Sequence, residues 1–354
     1  MVEVPQRLSR RRFLVRTSCA LGAGMLASWT GPSAPSVTAR AQSSRAATWT
    51  RIQETTEAPA ARANHALVHD AKRDRLIVFG GRGSQGFLND VWALSLANHA
   101  WQDLTPTGGA TPAPRRTPAL VYDPLNDRLV TYSGQGSGLF NDTWAFDLNR
   151  NQWTELATSQ ERPAQRYGTF FAYDSTRHAA LTFAGFTSEA GRFDDTWRFS
   201  LDTDQWEELE PADERPGRRC LHMGSYDADR DRLMIYGGQR GGPLGDLWAL
   251  DLATKQWREL ISEVRPAPRM FGSMVYDQDL QQHTVFGGTG AEVYGDLWTF
   301  DPERESWKEL SSTGDGPSSR HSHAAVWVPD QGMLLFGGRD EAGLQNDLWQ
   351  LSRG

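Results

Sequence analysis

Two short pairs hold the residue types that bind transition metals: Cys220-x-His222 and His321-x-His323. Residues i and i+2 of a strand share a face, and thiolate with imidazole suits copper or zinc. A wider set surrounds them. Arg116, Tyr167, Cys220, Met270 and His321 each follow the arginine of a Pro-x-x-Arg phrase, and Phe87, Arg192 and Tyr294 lie in glycine-rich loops. Guanidinium forks grip oxyanions and aromatic faces stack on flat ligands, so this set suits a sugar or a peptide loop.

Repetition defines these positions. Pro-x-x-Arg occurs six times, ending at Arg62, Arg115, Arg166, Arg219, Arg269 and Arg320. Asp-x-Trp also occurs six times, with Trp at 92, 144, 197, 248, 298 and 349, at spacings of 52, 53, 51, 50 and 51. A Trp-x-x-Leu phrase follows the first five of these tryptophans after nine residues, but nothing similar follows Trp349. A small pair closes an apolar run each time: Gly80-Gly81, Ser133-Gly134, Ala184-Gly185, Gly237-Gly238, Gly287-Gly288 and Gly337-Gly338.

Each unit reads as four short strands. "RLMIYGG" is apolar throughout, as a strand covered on both faces would be, whereas "DLWALDL" alternates at Trp248, Leu250 and Leu252. Four such strands bury too little alone, so each sheet must stack on its neighbours.

The diglycine, the spaced tryptophans and the period near fifty resemble the kelch repeat, over about residues 47–354. That resemblance implies an all-β, six-bladed propeller of four-stranded antiparallel blades around a central channel. Blades are expected at about 59–105, 112–157, 163–210, 216–261, 266–311 and 317–352. The last unit lacks an outer strand, and Trp49 precedes Trp101 by one period, so residues 47–53 are expected to complete blade six. The resemblance places the loops after the framework arginines, and the glycine-rich loops, around the channel mouth. The expected ligand-facing set is therefore Arg116, Tyr167, Cys220, His222, Met270, His321, Phe87, Arg192 and Tyr294.

Residues found in every unit read as framework. The six arginines are expected to tie a loop carbonyl or carboxylate to its blade, the Asp-x-Trp acids to cap turns, and both tryptophan sets to pack between blades. His65 and His323 match the repeat as framework, and the two Cys/His pairs lie two blades apart, so the expectation is no metal and no cofactor.

Residues 1–41 read as a twin-arginine (Tat) export signal: Arg10-Arg11, then Phe13-Leu14, a short weakly apolar run, and Ala39-Arg40-Ala41 before Gln42. Residues 42–46 would be a linker. The leader holds six Arg and one Glu, so its removal takes the formal charge from −7 to −12, which disfavours nucleic acid and anionic membranes. With the leader gone no membrane span is expected, and Cys220 is the one remaining thiol. The expectation is a periplasmic or secreted monomer, a binding scaffold for a protein or carbohydrate partner. The alternative is a carbohydrate-active enzyme on the same fold. Galactose oxidase implies seven blades and a Cys–Tyr crosslink. A likeness to the six-bladed sialic acid mutarotase would need an acid/base pair and a cationic clamp, for which Arg116, Arg192, Glu189, His222 and His321 are available.

Overall fold

The computed structural model describes residues 47–158, 161–210 and 214–353. The expected leader and linker lie outside the described residues. Within them every element is a strand, and no helix is long and apolar enough to cross a membrane.

Six sheets form the blades of a propeller. Blade one runs outward through Ala66–Asp70, Arg75–Gly83, Gly86–Ser95 and Trp101–Asp103, each antiparallel to the next. Blades two to five repeat that order. The innermost strands of neighbouring blades stand side by side around the axis, and apolar clusters fill each joint. One such cluster joins Ile77 and Phe79 of blade one to Leu129, Phe146 and Trp153 of blade two.

Blade six combines both ends of the described chain. Ala324–Val328, Gly332–Asp340 and Gly343–Arg353 are its first three strands, and Ala47–Ile52 pairs antiparallel with the third, Trp49 opposite Leu351 and Ile52 opposite Leu348. The ring therefore closes through the N-terminal strand. One departure from a four-stranded blade occurs here. The short strand Ser312–Thr313 runs parallel to Ala47 and Thr48, giving this sheet a fifth member.

The repeated phrases form one circuit, copied six times. Arg219 Nε donates to the Gly217 carbonyl and Nη1 to the Gly237 carbonyl, both at 3.0 Å, while the two terminal nitrogens grip Asp246 at 2.8 and 2.6 Å. Asp246 Oδ2 also accepts the Trp248 Nε1–H at 2.7 Å. The same bidentate pairing joins Arg62 to Asp90, Arg115 to Asp142, Arg166 to Asp195, Arg269 to Asp296 and Arg320 to Asp347. The Asp-x-Trp acids were expected as turn caps. They are instead the counter-ions of the framework arginines, because a guanidinium buried to 2% exposure or less needs a carboxylate beside it.

The small pair has a different task. Its second member, with φ between +96° and +118°, is glycine in all six blades, and at Gly238 a Cβ would lie 2.8 Å from both the Cys220 carbonyl and His222 Cβ. The first member has φ between +55° and +65°, which Ser133 and Ala184 adopt in place of glycine. The second glycine's N–H reaches into the next blade: Gly81 donates to Arg115 O, Gly134 to Arg166 O, and so on to Gly338, which donates to Arg62 O and closes the circle.

Candidate binding site at the channel mouth

Each framework arginine is followed by a residue whose backbone bridges to the one just past the small pair. These bridges are Ala63–Arg82, Arg116–Gln135, Tyr167–Phe186, Cys220–Gln239, Met270–Thr289 and His321–Arg339. Twelve variable positions thus sit on six copies of a fixed frame.

The next residue in each blade forms a second ring with φ near +60°: Asn64, Thr117, Gly168, Leu221, Phe271 and Ser322. Backbone bonds link it blade to blade, Thr117 N–H to Asn64 O, Leu221 to Gly168, Phe271 to Leu221, Ser322 to Phe271 and Asn64 to Ser322. Left-handed backbone is uncommon for branched or bulky side chains. Leu221 folds over Gly168, where a Cβ would stand 2.6 Å from Leu221 Cδ2. Phe271 rests 6.1 Å from the His321 ring.

On blades two to four the variable side chains join into one surface. Arg116 Nε donates to Gln135 Oε1 at 2.9 Å, and its guanidinium lies 5.4 Å from the centre of the Tyr167 ring. Tyr167 meets Phe186 edge-on at 5.5 Å, and Arg192 lies 5.5 Å from the other ring of that pair. Arg192 Nη2 donates to Gln239 Oε1 at 3.2 Å, and the buried Cys220 thiol lies 4.0 Å from the same oxygen. Two guanidinium groups therefore flank a half-buried aromatic pair, each braced by a glutamine. Burial, then the neighbouring Cys220, pushes the Tyr167 phenol up, while Arg116 and Arg192 act against that shift. Burial likewise raises the Cys220 thiol, against the pull of Arg192.

Charge sharpens the picture. Among the described residues no carboxylate lies within ion-pairing distance of Arg82, Arg116, Arg192 or Arg339, which all stand at this mouth. Elsewhere Arg198, Arg258 and Arg304 hold Glu207, Glu305 and Asp301. Unpaired cations are not confined to the mouth, since Arg51, Lys255, Arg265 and Lys308 also have no carboxylate at that distance among the described residues; here four of them gather around one opening.

Arg116, Tyr167, Cys220 and Arg192 are thus brought together, but the other expected residues are not. Tyr294 is buried with its ring 4.2 Å from Arg269, as Phe140 covers Arg115 and Phe193 covers Arg166, so it serves the framework. Phe87 stays in blade one, 5.7 Å from Arg82. Met270 and His321 face Thr289 and Arg339 in blades five and six, outside the arc. Burial, then Arg339, lowers the His321 pKa. His222 is not at the mouth, because its ring packs edge-on between Phe170 and Phe183 at 5.2 and 5.5 Å. Phe186, Gln135 and Gln239 were missed; the signal was their place directly after the repeated small pair.

Burial, then the adjacent Arg219, drives the His222 pKa down to about 3, and burial with Arg320 does the same at His323. A histidine depressed in the folded state takes up protons on unfolding. Stability is therefore expected to fall as pH drops through about 6.5 and to keep falling toward about 3, the two bounds of this shift. Denaturant midpoints between pH 7 and 4 check this: His222→Leu flattens the slope, and an unchanged slope contradicts the assignment.

A family model described as the KLHDC2/KLHL20/DRC7 Kelch-repeats domain matches residues 41–224 and 172–353. Kelch domain-containing protein 10 of Homo sapiens is 29% identical over 206 residues, covering 53% of this chain and 44% of that protein. Acyl-CoA-binding domain-containing protein 5 of Arabidopsis thaliana is 25% identical over 231 residues, 62% of this chain and 35% of the relative. The leucine-zipper-like transcriptional regulator 1 homolog of Drosophila melanogaster is 27% identical over 227 residues, 61% and 22%. The chain therefore spans less than half the length of these curated relatives.

Proposed function

This chain belongs to the kelch-repeat family, and from that premise we propose that it is a binding scaffold whose partner seats on the Arg116–Tyr167–Phe186–Arg192 surface. The observation that carries this reading is the set of mouth arginines without carboxylates gathered beside the half-buried Tyr167–Phe186 pair. A protein loop with an acidic side chain beside an apolar one matches that surface, and so does a carboxylate-bearing glycan. Peptide-display selection and a glycan array on the purified propeller test it. Acidic ligands should be enriched, and Arg116→Ala or Tyr167→Ala should abolish their capture; capture indifferent to both substitutions overturns the choice of face.

The reading includes export in the folded state by the twin-arginine route. The leader pattern at Arg10-Arg11 and the absence of a second cysteine beyond residue 41 support it. Arg10→Lys with Arg11→Lys is expected to hold the precursor in the cytoplasm of a bacterial host, as followed by fractionation. Normal export of that variant would contradict the route.

A further inference from the structure

On the face away from the mouth, the turns leaving the innermost strands tie neighbouring blades together. Arg73 of blade one grips Asp127 of blade two through both terminal nitrogens at 2.7 Å, and Arg177 of blade three grips Asp231 of blade four at 2.7 and 2.6 Å. Between blades two and three the polarity is reversed. Asn126 stands at the place of Arg73 and Arg177, and His178 at the place of Asp127 and Asp231. His178 Nε2 lies 2.8 Å from Asp123 Oδ1 of blade two, and its Nδ1 lies 2.6 Å from Asp202 Oδ1 of blade three.

An ionised carboxylate oxygen only accepts, so these two contacts require an N–H on both ring nitrogens: the ring is the imidazolium. Among the described residues no other histidine is placed this way. His283 also spans a joint, but its Nδ1 meets the Ser225 hydroxyl at 2.8 Å and its Nε2 stays 4.0 Å from Asp227, which suits a neutral ring. His69 has a single carboxylate, Asp74 of its own turn, at 3.6 Å. Against burial, which lowers it, Asp123 and Asp202 raise the His178 pKa above 6.5, whereas burial prevails at His69 and His283. Other charged and titratable groups surround the ring. Asp123 Oδ2 accepts Asn126 Nδ2 and Arg128 Nε, both at 2.9 Å, and Arg128 continues to Asp204 Oδ1 at 2.6 Å. The Tyr173 ring stands edge-on at 6.3 Å, and the adjacent Arg177 is held by Asp174 and Asp231.

This joint is also the least knitted of the six along the innermost strands. The ring of residues with φ near +60° is bonded backbone to backbone at the other five joints, but among the described residues no such bond joins Gly168 to Thr117. The innermost strand of blade three, Ala172–Asp174, has three residues where Ala119–Asp123 and Met223–Asp227 beside it have five. The chain before it leans toward blade four, since a Cβ on Gly224 would fall 2.1 Å from Phe170 Cζ.

We propose that the joint between blades two and three is a pH-sensitive seam, held by doubly protonated His178 and loosened when that ring loses a proton. One N–H then serves two carboxylates. The exposed Asp202 turns to water, and the bond to buried Asp123 changes from charge-assisted to neutral, about half as strong. Arg128 still tethers the blades, so the seam slackens without parting. It runs up to the mouth, where Arg116 of blade two meets Tyr167 of blade three. A histidine raised in the folded state gives a contribution that is complete below pH 6.5 and lost as the pH rises through its folded-state value. This slope is opposite in sign to that of His222 and lies on the other side of pH 6.5.

Imidazole nitrogen NMR on the purified protein, with hydrogen exchange at two equivalent amides, tests the proposal. At pH 6.5 both His178 nitrogens should carry protons, and by about pH 9 only one should. The Gly134 amide crosses this joint to Arg166 O, and the Gly185 amide crosses the next joint to Arg219 O. Over that range protection at Gly134 should fall at least about threefold while protection at Gly185 stays constant. His178→Asn, which suits the left-handed backbone at φ +46°, should abolish the pH dependence at Gly134. A neutral His178 ring at pH 6.5, constant protection at Gly134 in the unaltered protein, an equal fall at Gly185, or a fall that persists in His178→Asn overturns the proposal.

Discussion

Removing residues 47–53 is expected to lower the melting temperature of the whole ring by at least about 10 °C, although the segment looks like a linker. Trp49 and Ile52 are buried, and Trp49 meets Phe286 of blade five at 5.1 Å, so this strand fills the joint between blades five and six. Loss of a buried tryptophan alone costs about 3–5 kcal/mol. The deletion also strips the backbone partner from Gly343–Arg353 along six residue pairs and leaves that strand as an open edge. Adding the buried Ile52, at about 2–5 kcal/mol, brings the total to about 7 kcal/mol, which at about 2.1 cal/mol/K per residue corresponds to the predicted shift in a ring of this size. A single cooperative transition at lower temperature is the expected trace. A transition within about 2 °C of the intact protein would mean that the ring does not depend on this closure.

Asp246→Ala is expected to cost about 3–5 kcal/mol, because it leaves the Arg219 guanidinium buried without its carboxylate. It also deprives the Trp248 Nε1–H of its acceptor. The pair is a geometric clamp more than a source of net attraction, so replacing both members with apolar residues, Arg219→Met with Asp246→Leu, should recover part of the loss. Denaturant titration of the single and double variants separates the two effects. A single-variant cost below about 1 kcal/mol would show that the clamp is expendable.

Blade number, the four-strand plan and ring closure were legible in the sequence because the repeat copies these requirements six times, whereas the short Ser312–Thr313 strand occurs once and has no repeated signal. The glycine after Ser133 and Ala184 is a case in point: a φ above +90° admits little else, whereas the preceding residue has latitude. The pairing of Pro-x-x-Arg with Asp-x-Trp was less legible, since the partners stand 27 to 29 residues apart and meet only when the third strand folds back. The same limit applied to Tyr294. An aromatic in a glycine-rich loop reads as ligand-facing until the structure shows the buried guanidinium that it covers. Phe186 and Gln239 escaped notice because a variable residue after a constant pair resembles ordinary strand.

The central claim is that a constant framework presents a variable ligand surface on blades two to four. Alanine substitution at the eleven mouth positions other than Ala63 and at Arg192, with ligand affinity and melting temperature measured together, tests it most directly. Arg116, Tyr167, Phe186 and Arg192 should each lose at least about tenfold in affinity, about 1.4 kcal/mol, with melting temperature essentially unchanged. Losses confined to Arg82, Met270, Thr289 and His321, or spread evenly around the ring, would contradict the claim.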